Sequence, residues 1–159
     1  MHPLPQLRVR AATDGDCEAM SAVRAASITR LCSADHNDDP HVIAAWAGNQ
    51  SPQTFRALLS RPDVSLIVAE LDGAVVGVGG LSGEDIKLNY VDPDHQFQGI
   101  SKALMAALEG QMAASGVVRA RLYSTATARG FYRAIGWIDE DGATPESGYP
   151  MSKVLIADA

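Results

Sequence analysis

The sequence predicts an α/β fold in which a mixed sheet is flanked by helices, in the order β-α-α-β-β-β-α-β-α-β. Two kinds of segment follow one another along the chain. In one, apolar and polar residues alternate, as is typical of strands; in the other, apolar residues recur at helical spacing. An Asp-Gly pair joins two β-rich segments near the middle of the chain. Since no repeat or linker interrupts the pattern, we predict one domain, residues 7–157, behind an N-terminal tail, residues 1–6.

The composition is that of a folded protein with one hydrophobic core. The chain has 159 residues, of which 47% are hydrophobic and 20% are charged. Its formal charge of -6 argues against nucleic acid and anionic membranes as partners, because the field repels phosphate. The N terminus lacks the apolar segment of a signal peptide, and no apolar run is long enough to span a bilayer. We therefore expect a cytoplasmic protein.

The first half of the chain begins with a strand at residues 7–11, followed by a helix. Asp14 and Asp16 precede the helical pattern and are predicted as its N-caps. The only two cysteines, Cys17 and Cys32, fall within this pattern and are predicted to be free, buried thiols.

Two short helices are predicted next, after an acidic segment that is rich in turn residues. The first covers residues 42–46, and the second follows Ser51 and Pro52, a typical N-cap and first helical residue. The acidic segment begins like a calcium-binding loop at Asp35, but Pro40 stands where such a loop needs Gly. We therefore expect no metal there.

The middle of the chain predicts three strands. Residues 64–70 and 74–81 form a β-hairpin around Leu71-Asp72-Gly73, and residues 86–90 form a further strand that ends before Asp92-Pro93. Glycines in the second of these strands are spaced much like a dinucleotide-binding fingerprint. They lie in a hairpin and not in a strand-helix-strand unit, so we reject that interpretation.

The last third contains the clearest helix, which starts after Gly99 and ends at Ser115-Gly116. Residues 118–123 then predict a strand, residues 128–136 a short helix, and residues 151–156 a final strand.

The segment with the strongest chemical signal is NYVDPDHQFQGIS, residues 89–101, which joins a strand to that helix. The first turn of a helix has unpaired N-H groups and a positive dipole end, so a loop wrapped over it suits a phosphate. Gly99 permits a positive φ, Ser101 adds a hydroxyl and Lys102 adds charge. By itself, the pattern also fits an ordinary turn between a strand and a helix.

Two segments together resemble the GNAT superfamily of N-acetyltransferases. Residues 96–104 resemble its acetyl-CoA pyrophosphate loop, Q/R-x-x-G-x-G/A, and residues 124–137 resemble its second signature, a helix that carries Phe-Tyr and ends in Gly-aromatic. The resemblance extends to the order of elements and to the last strand, and it implies a mostly antiparallel sheet. One departure is Ser101, where the pattern has Gly or Ala.

The resemblance implies that the protein binds acetyl-CoA as acyl donor and needs no metal. Backbone N-H groups of the loop would hold the pyrophosphate, and the pantetheine arm would lie between two strands that splay apart. The residues implied to contact the cofactor are Tyr90, Val91, Gln96, Phe97, Gln98, Gly99, Ile100, Ser101, Lys102, Thr125, Arg129 and Phe131.

It also implies transfer of the acetyl group to the primary amine of a small molecule, by direct attack within a ternary complex. Tyr132 resembles the tyrosine that protonates the departing thiolate; the alternative is a core tyrosine whose hydroxyl bonds to backbone. The family often has a strand glutamate as base, and this strand has Lys87 and Asn89 instead. Glu84 is the predicted base, with His36 as the other candidate.

The amine acceptor is not identified by either motif. The residues predicted to line its pocket are Asp35, His36, Trp46 and Asn89. Two other functions stay open: a non-catalytic regulatory module that binds acyl-CoA on the same fold, and an enzyme that uses a longer acyl-CoA. A homodimer is expected from the family alone.

Overall fold

A computed structural model describes residues 6–31, 51–96, 98–125, 128–143 and 148–155 of the chain. In this part of the chain, a seven-stranded sheet is flanked by four α-helices. The strands are β1 (Leu7–Ala11), β2 (Val64–Leu71), β3 (Ala74–Ser82), β4 (Asp85–Val91), β5 (Arg119–Ser124), β6 (Ile138–Asp139) and β7 (Tyr149–Val154). The helices are α1 (Cys17–Leu31), α2 (Pro52–Leu59), α3 (Ile100–Ala114) and α4 (Arg129–Ala134).

The strands lie in the order β1-β2-β3-β4-β5-β7-β6. Every neighbouring pair is antiparallel except β4 and β5, which are parallel. The predicted mixed, mostly antiparallel sheet flanked by helices is therefore confirmed. The one strand that the sequence did not predict is β6, whose two residues are too few to show alternation.

Several turn and cap predictions are also confirmed. Asp72 and Gly73 both have positive φ, 52° and 87°, the left-handed backbone that a tight hairpin requires. Ser51 caps α2, because its side chain accepts a hydrogen bond from the backbone N-H of Thr54. Gly116 ends α3 with a φ of 88°.

The predicted N-caps at Asp14 and Asp16 are wrong. The capping residue is Thr13, which precedes a short 3-10 turn over Asp14–Asp16, and α1 follows at Cys17. The Asp16 carboxylate instead accepts a hydrogen bond from the backbone N-H of Thr13 at 2.8 Å. Cys17 is a free, buried thiol as predicted, whereas Cys32 and the helix expected at residues 42–46 lie outside the described residues.

Asp16 is held by Arg10 of β1. The two guanidinium NH groups of Arg10 donate to the two carboxylate oxygens of Asp16 at 2.7 and 2.9 Å, and Asp16 is only 7% exposed. These charge-assisted bonds lower the pKa of Asp16 to about 2, against the burial that would raise it. The ion pair ties β1 to the start of α1.

We expect this pair to make folding sensitive to acid. A carboxyl whose pKa is lowered in the folded state stabilises the protein above its unfolded pKa, and that stability is lost as the pH falls through the folded pKa. For Asp16 the window runs from about pH 4 down to about pH 2. Asp16→Asn should lower the free energy of unfolding at pH 7 by roughly 2 kcal/mol and flatten its decline across this window.

Urea unfolding of both proteins at several pH values measures this effect. Asp14→Asn, in the exposed aspartate of the same turn, is the control. An acid-induced loss of stability that is as steep in Asp16→Asn as in the wild type would contradict the assignment.

The helices pack on opposite faces of the sheet. α1 and α2 cover one face around Met20, Phe55 and Val68, while α3 and α4 cover the other. On the α3 face, β3 carries glycines at the points of contact: a Cβ on Gly77 would lie 2.9 Å from Cγ2 of Ile100. The glycines thus let α3 lie directly on the strand. None of the described helices has the length and apolar character needed to cross a bilayer.

Candidate active site

The sheet opens between β4 and β5. These parallel strands pair only at Asp85 with Arg121 and at Ile86 with Leu122, next to a hydrogen bond from the Arg121 N-H to the Glu84 carbonyl at 2.8 Å. Both strands are described in full, and no further pair joins them. Their carboxyl-terminal halves therefore diverge, and each presents backbone polar groups to the gap.

A β-bulge explains where the opening begins. In the β3–β4 ladder, Leu88 lies opposite Gly80 and Ile86 lies opposite Leu81, so Lys87 is an extra residue on β4. A bulge bends its strand and increases the local twist. Because this one directly follows the last β4–β5 pair, it turns the rest of β4 away from β5.

The gap forms a cavity of about 350 Å³. Its walls are residues 86–91 of β4 and residues 122–125 at the end of β5, and residues 99–102 at the start of α3 lie across one side. Ser27 of α1 also lines it. Since α1 and α3 lie on opposite faces, the cavity passes through the sheet from one face to the other.

The N terminus of α3 faces this cavity and is suited to an anion. Gly99 precedes the helix with a φ of 77°, a backbone conformation that favours glycine. A Cβ at this position would meet nothing within 4 Å, so the glycine is required by its φ angle and not by a lack of space. The first helical hydrogen bond runs from the Ala103 N-H to the Gly99 carbonyl, which leaves the preceding N-H groups at the positive end of the dipole. Lys102 lines the cavity, and none of its described lining residues is Asp or Glu.

A chain of hydrogen bonds crosses the cavity wall. The Ser101 hydroxyl donates to Oδ1 of Asn89 at 3.0 Å, and Nδ2 of Asn89 donates to the hydroxyl oxygen of Tyr132 at 3.0 Å. The Tyr132 ring packs edge-on against Phe131 and Trp137, and the residue is only 7% exposed. Tyr132 thus has its ring in the core and its hydroxyl on a side-chain amide of the cavity wall.

The face of the cavity nearest α1 has a different character. The Arg24 guanidinium lies over the Tyr90 ring, 4.8 Å from its centroid, in cation-π geometry. His95, in the 3-10 turn that leads to α3, lines the cavity, and its Nδ1 lies 3.8 Å from the Asp92 carboxylate.

The structure brings most of the predicted cofactor residues to one cavity. Those that line it are Tyr90, Val91, Gln96, Gly99, Ile100, Ser101, Lys102, Thr125 and Phe131, together with Tyr132 and Asn89. Gln98 is exposed and does not line it, and the Arg129 guanidinium bonds to Asp139 at 3.1 Å and stacks on Tyr149 instead. Phe97, Asp35, His36 and Trp46 lie outside the described residues.

Glu84, the predicted base, is not brought to the cavity. It lies just before β4, at the end where β4 and β5 are paired, and its side chain is 62% exposed and 3.9 Å from Arg121. In the sequence, Glu84 directly precedes the strand that leads to the phosphate-binding segment, which makes it a candidate base. In the structure, the opening between β4 and β5 starts only after Ile86. The role of Glu84 stays a prediction that the geometry of the described residues does not favour.

Other lining residues were not predicted from the sequence. His95 lies within residues 89–101, the segment that joins β4 to α3. Its position there could have identified it as a candidate site residue, because histidine often takes part in proton transfer. Ser27, Leu122 and Tyr123 carry no local signal, because only the opening between β4 and β5 brings them to the cavity.

Residues 31–154 match the family described as the acetyltransferase (GNAT) domain. No curated protein matches the sequence significantly.

Several solved structures share the fold. PaiA N-acetyltransferase from Thermoplasma acidophilum, solved in complex with coenzyme A, has a TM-score of 0.82 at 22% identity, covering 94% of this chain and 99% of that one. A GCN5-related N-acetyltransferase from Rhodopseudomonas palustris also has a TM-score of 0.82, at 24% identity over 97% and 99% of the two chains. Another from Ralstonia eutropha JMP134 has a TM-score of 0.69 at 24% identity, over 87% and 97%.

Proposed function

The chain belongs to the GNAT acetyltransferase family, and we propose that it transfers the acetyl group of acetyl-CoA to the primary amine of a small molecule. The observation that carries the proposal is the cavity between the diverging strands β4 and β5, which leads to the N terminus of α3. Residues 7–157 form the catalytic domain in this proposal.

The donor binds along one side of the cavity. The pyrophosphate lies at the N terminus of α3, where backbone N-H groups from Gln98 to Lys102 surround it and Lys102 adds positive charge. The pantetheine arm lies between β4 and β5. There it forms hydrogen bonds with backbone groups of the two strands that do not bond to each other across the gap. The coenzyme A found in the similar structure from Thermoplasma acidophilum supports this choice of donor.

The reaction needs a neutral amine, a stabilised oxyanion and a proton for the thiolate. The amine nitrogen attacks the thioester carbonyl, the C-N bond forms, and the C-S bond breaks with its electrons on sulfur. A backbone N-H of β4 near the bulge at Lys87 stabilises the oxyanion, because it is fixed and has no partner on β5. Tyr132 gives its hydroxyl proton to the departing thiolate. The nitrogen releases one proton to solvent as the amide forms, and the Tyr132 phenolate takes one proton back from solvent, so the enzyme is restored.

The acceptor reaches the thioester from the α1 face. The cavity passes through the sheet, so an amine can enter beside Ser27, Tyr90 and His95 while the donor occupies the α3 face. Both substrates are then bound at once, which fits direct attack within a ternary complex. Asp35, His36 and Trp46 complete the acceptor pocket in this proposal.

A regulatory module that binds acyl-CoA without turnover needs the cavity and the α3 N terminus only. The position of the Tyr132 hydroxyl in the cavity wall favours an enzyme, because a tyrosine that served packing alone has no need to present its hydroxyl there. Release of free thiol from acetyl-CoA distinguishes the two. We expect release with at least one member of a panel of polyamines, amino acids, aminoglycosides and peptides.

Thermal unfolding with and without acetyl-CoA tests the donor first. A ligand that binds only the native state at about 100 times its Kd adds about 2.7 kcal/mol of stability. For a chain of this size, that raises Tm by roughly 5–10 °C. NAD and ATP are the controls, since both carry phosphates and adenine without the pantetheine arm. A Tm that acetyl-CoA leaves unchanged would contradict the proposed function.

A further inference from the structure

We propose that Asn89 is a positioning residue that orients the Tyr132 hydroxyl for proton donation, and that the Ser101 side chain holds Asn89 in place. The inference rests on the proposed function and adds a role for two side chains that the proposed chemistry does not use. It replaces the prediction that Asn89 contacts the acceptor.

The three residues come from three different elements. Asn89 lies on β4 opposite Gly79, Ser101 lies in the first turn of α3, and Tyr132 lies on α4. Asn89 uses both ends of its amide, accepting from Ser101 and donating to Tyr132, each at 3.0 Å. The two bonds therefore connect the helix that faces the phosphate site with the helix that carries the proposed acid.

The direction of the bonds suits an acid. Ser101 donates to Asn89 and Asn89 donates to Tyr132, so the Tyr132 oxygen is the acceptor and its own proton is not used in this contact. The terminal torsion of an asparagine is broad, and without Ser101 the amide has more freedom to rotate. Proton transfer requires the acid within hydrogen-bond reach of the reacting atom, so a loosely held hydroxyl donates less often.

Ser101 allows this role to be separated from cofactor binding. Its backbone N-H belongs to the first turn of α3 and stays in place when the side chain is changed. Loss of the hydroxyl should therefore change the rate and leave the grip on pyrophosphate. The family pattern has Gly or Ala at this position. The bond from the Ser101 hydroxyl to Asn89 explains why this chain has a serine there.

The test uses the full chain and the amine of the panel that releases thiol from acetyl-CoA fastest. We expect Asn89→Ala to lower kcat about tenfold and Ser101→Ala about threefold, with KM for acetyl-CoA within about twofold of the wild type. Ser101→Thr keeps the hydroxyl and should restore most of the rate that Ser101→Ala loses. In a Tyr132→Phe background, Asn89→Ala should lower kcat no further, because Asn89 acts through the oxygen that Phe lacks.

The matched control is Ser65→Ala. Ser65 on β2 donates to the side-chain amide of Gln111 on α3 at 2.8 Å, a contact of the same kind, exposed and away from the cavity. It should leave kcat unchanged. Circular dichroism and the acetyl-CoA thermal shift establish that each variant is folded and binds the donor.

An Asn89→Ala variant with wild-type kcat overturns the inference, as does an equal further loss in the Tyr132→Phe background. Equal losses in Ser101→Ala and Ser101→Thr overturn the part assigned to Ser101. In each of these cases the wild type still transfers acetyl groups, and the proposed function stands. A wild type that binds acetyl-CoA but releases thiol with no amine overturns the proposed function, and this inference with it.

A readout independent of turnover is the NMR signal of the Tyr132 ring carbon that bears the hydroxyl, assigned in tyrosine-labelled protein by its loss in Tyr132→Phe. Asn89→Ala and Ser101→Ala should shift this signal, and Ser65→Ala should not. An unmoved signal in Asn89→Ala overturns the inference whether or not an acceptor amine has been identified.

Discussion

Tyr132→Phe is expected to lower kcat about a hundredfold or more while the Kd for acetyl-CoA stays within about twofold, because general acid catalysis contributes on this scale. The substitution removes one oxygen and keeps the ring that packs between Phe131 and Trp137. The fold and the cavity are thus preserved, and the thiolate departs without its proton donor. Initial rates of thiol release and acetyl-CoA titrations measure the two quantities.

Tyr149→Phe is the control for this variant. Tyr149 lies outside the cavity lining, and a phenylalanine keeps the aromatic face on which Arg129 stacks, 4.2 Å from the ring centroid. It should retain the wild-type rate. If Tyr132→Phe turns over as fast as this control, Tyr132 is a packing residue and the proton comes from elsewhere.

Gly99→Val is expected to weaken acetyl-CoA binding about tenfold. A left-handed backbone costs residues other than glycine about 1–2 kcal/mol, and more for a β-branched one. Relaxation away from the φ of 77° rotates the peptide planes that lead into α3 and turns their N-H groups from the cavity. Binding must then restore the strained conformation. Isothermal titration with acetyl-CoA measures the loss.

Gly116→Val separates this effect from lost stability. Gly116 has a φ of 88° at the other end of the same helix, a Cβ there meets nothing within 4 Å, and the residue does not line the cavity. Both variants should lose a similar amount of stability, but only Gly99→Val should lose affinity. Equal Kd values for the two variants would contradict a phosphate site at the start of α3.

The elements that sequence predicted well are those specified by neighbouring residues. The β2–β3 hairpin follows from Asp72 and Gly73, whose positive φ values match the twist of the two strands. The bounds of α3 follow from apolar spacing and from the glycines at its two ends. The start of α1 was predicted less well, because Thr13, Asp14 and Asp16 are all good capping residues and the choice among them depends on where Arg10 lies.

In the candidate site, too, the residues that could be predicted are those that lie in local sequence patterns. Gly99, Ser101 and Tyr132 stand in two recognisable segments, so their place in the cavity could be expected from residue order alone. The exclusion of Glu84 from the cavity wall could not, since it depends on β4 and β5 pairing up to Ile86 and then separating at a bulge. Nothing in the local sequence around Lys87 indicates that bulge.

By itself, the sequence determined the class of fold, the loop that suits a phosphate and the tyrosine proposed as acid, because each depends on residue types at short spacing. Tertiary structure alone decided the opening between β4 and β5, the route through the sheet and the bonds that link Ser101 to Asn89 and Asn89 to Tyr132. These bonds join residues 12 and 43 positions apart. Hydrogen bonds over such separations depend on how strands and helices are packed, and no local pattern encodes that packing.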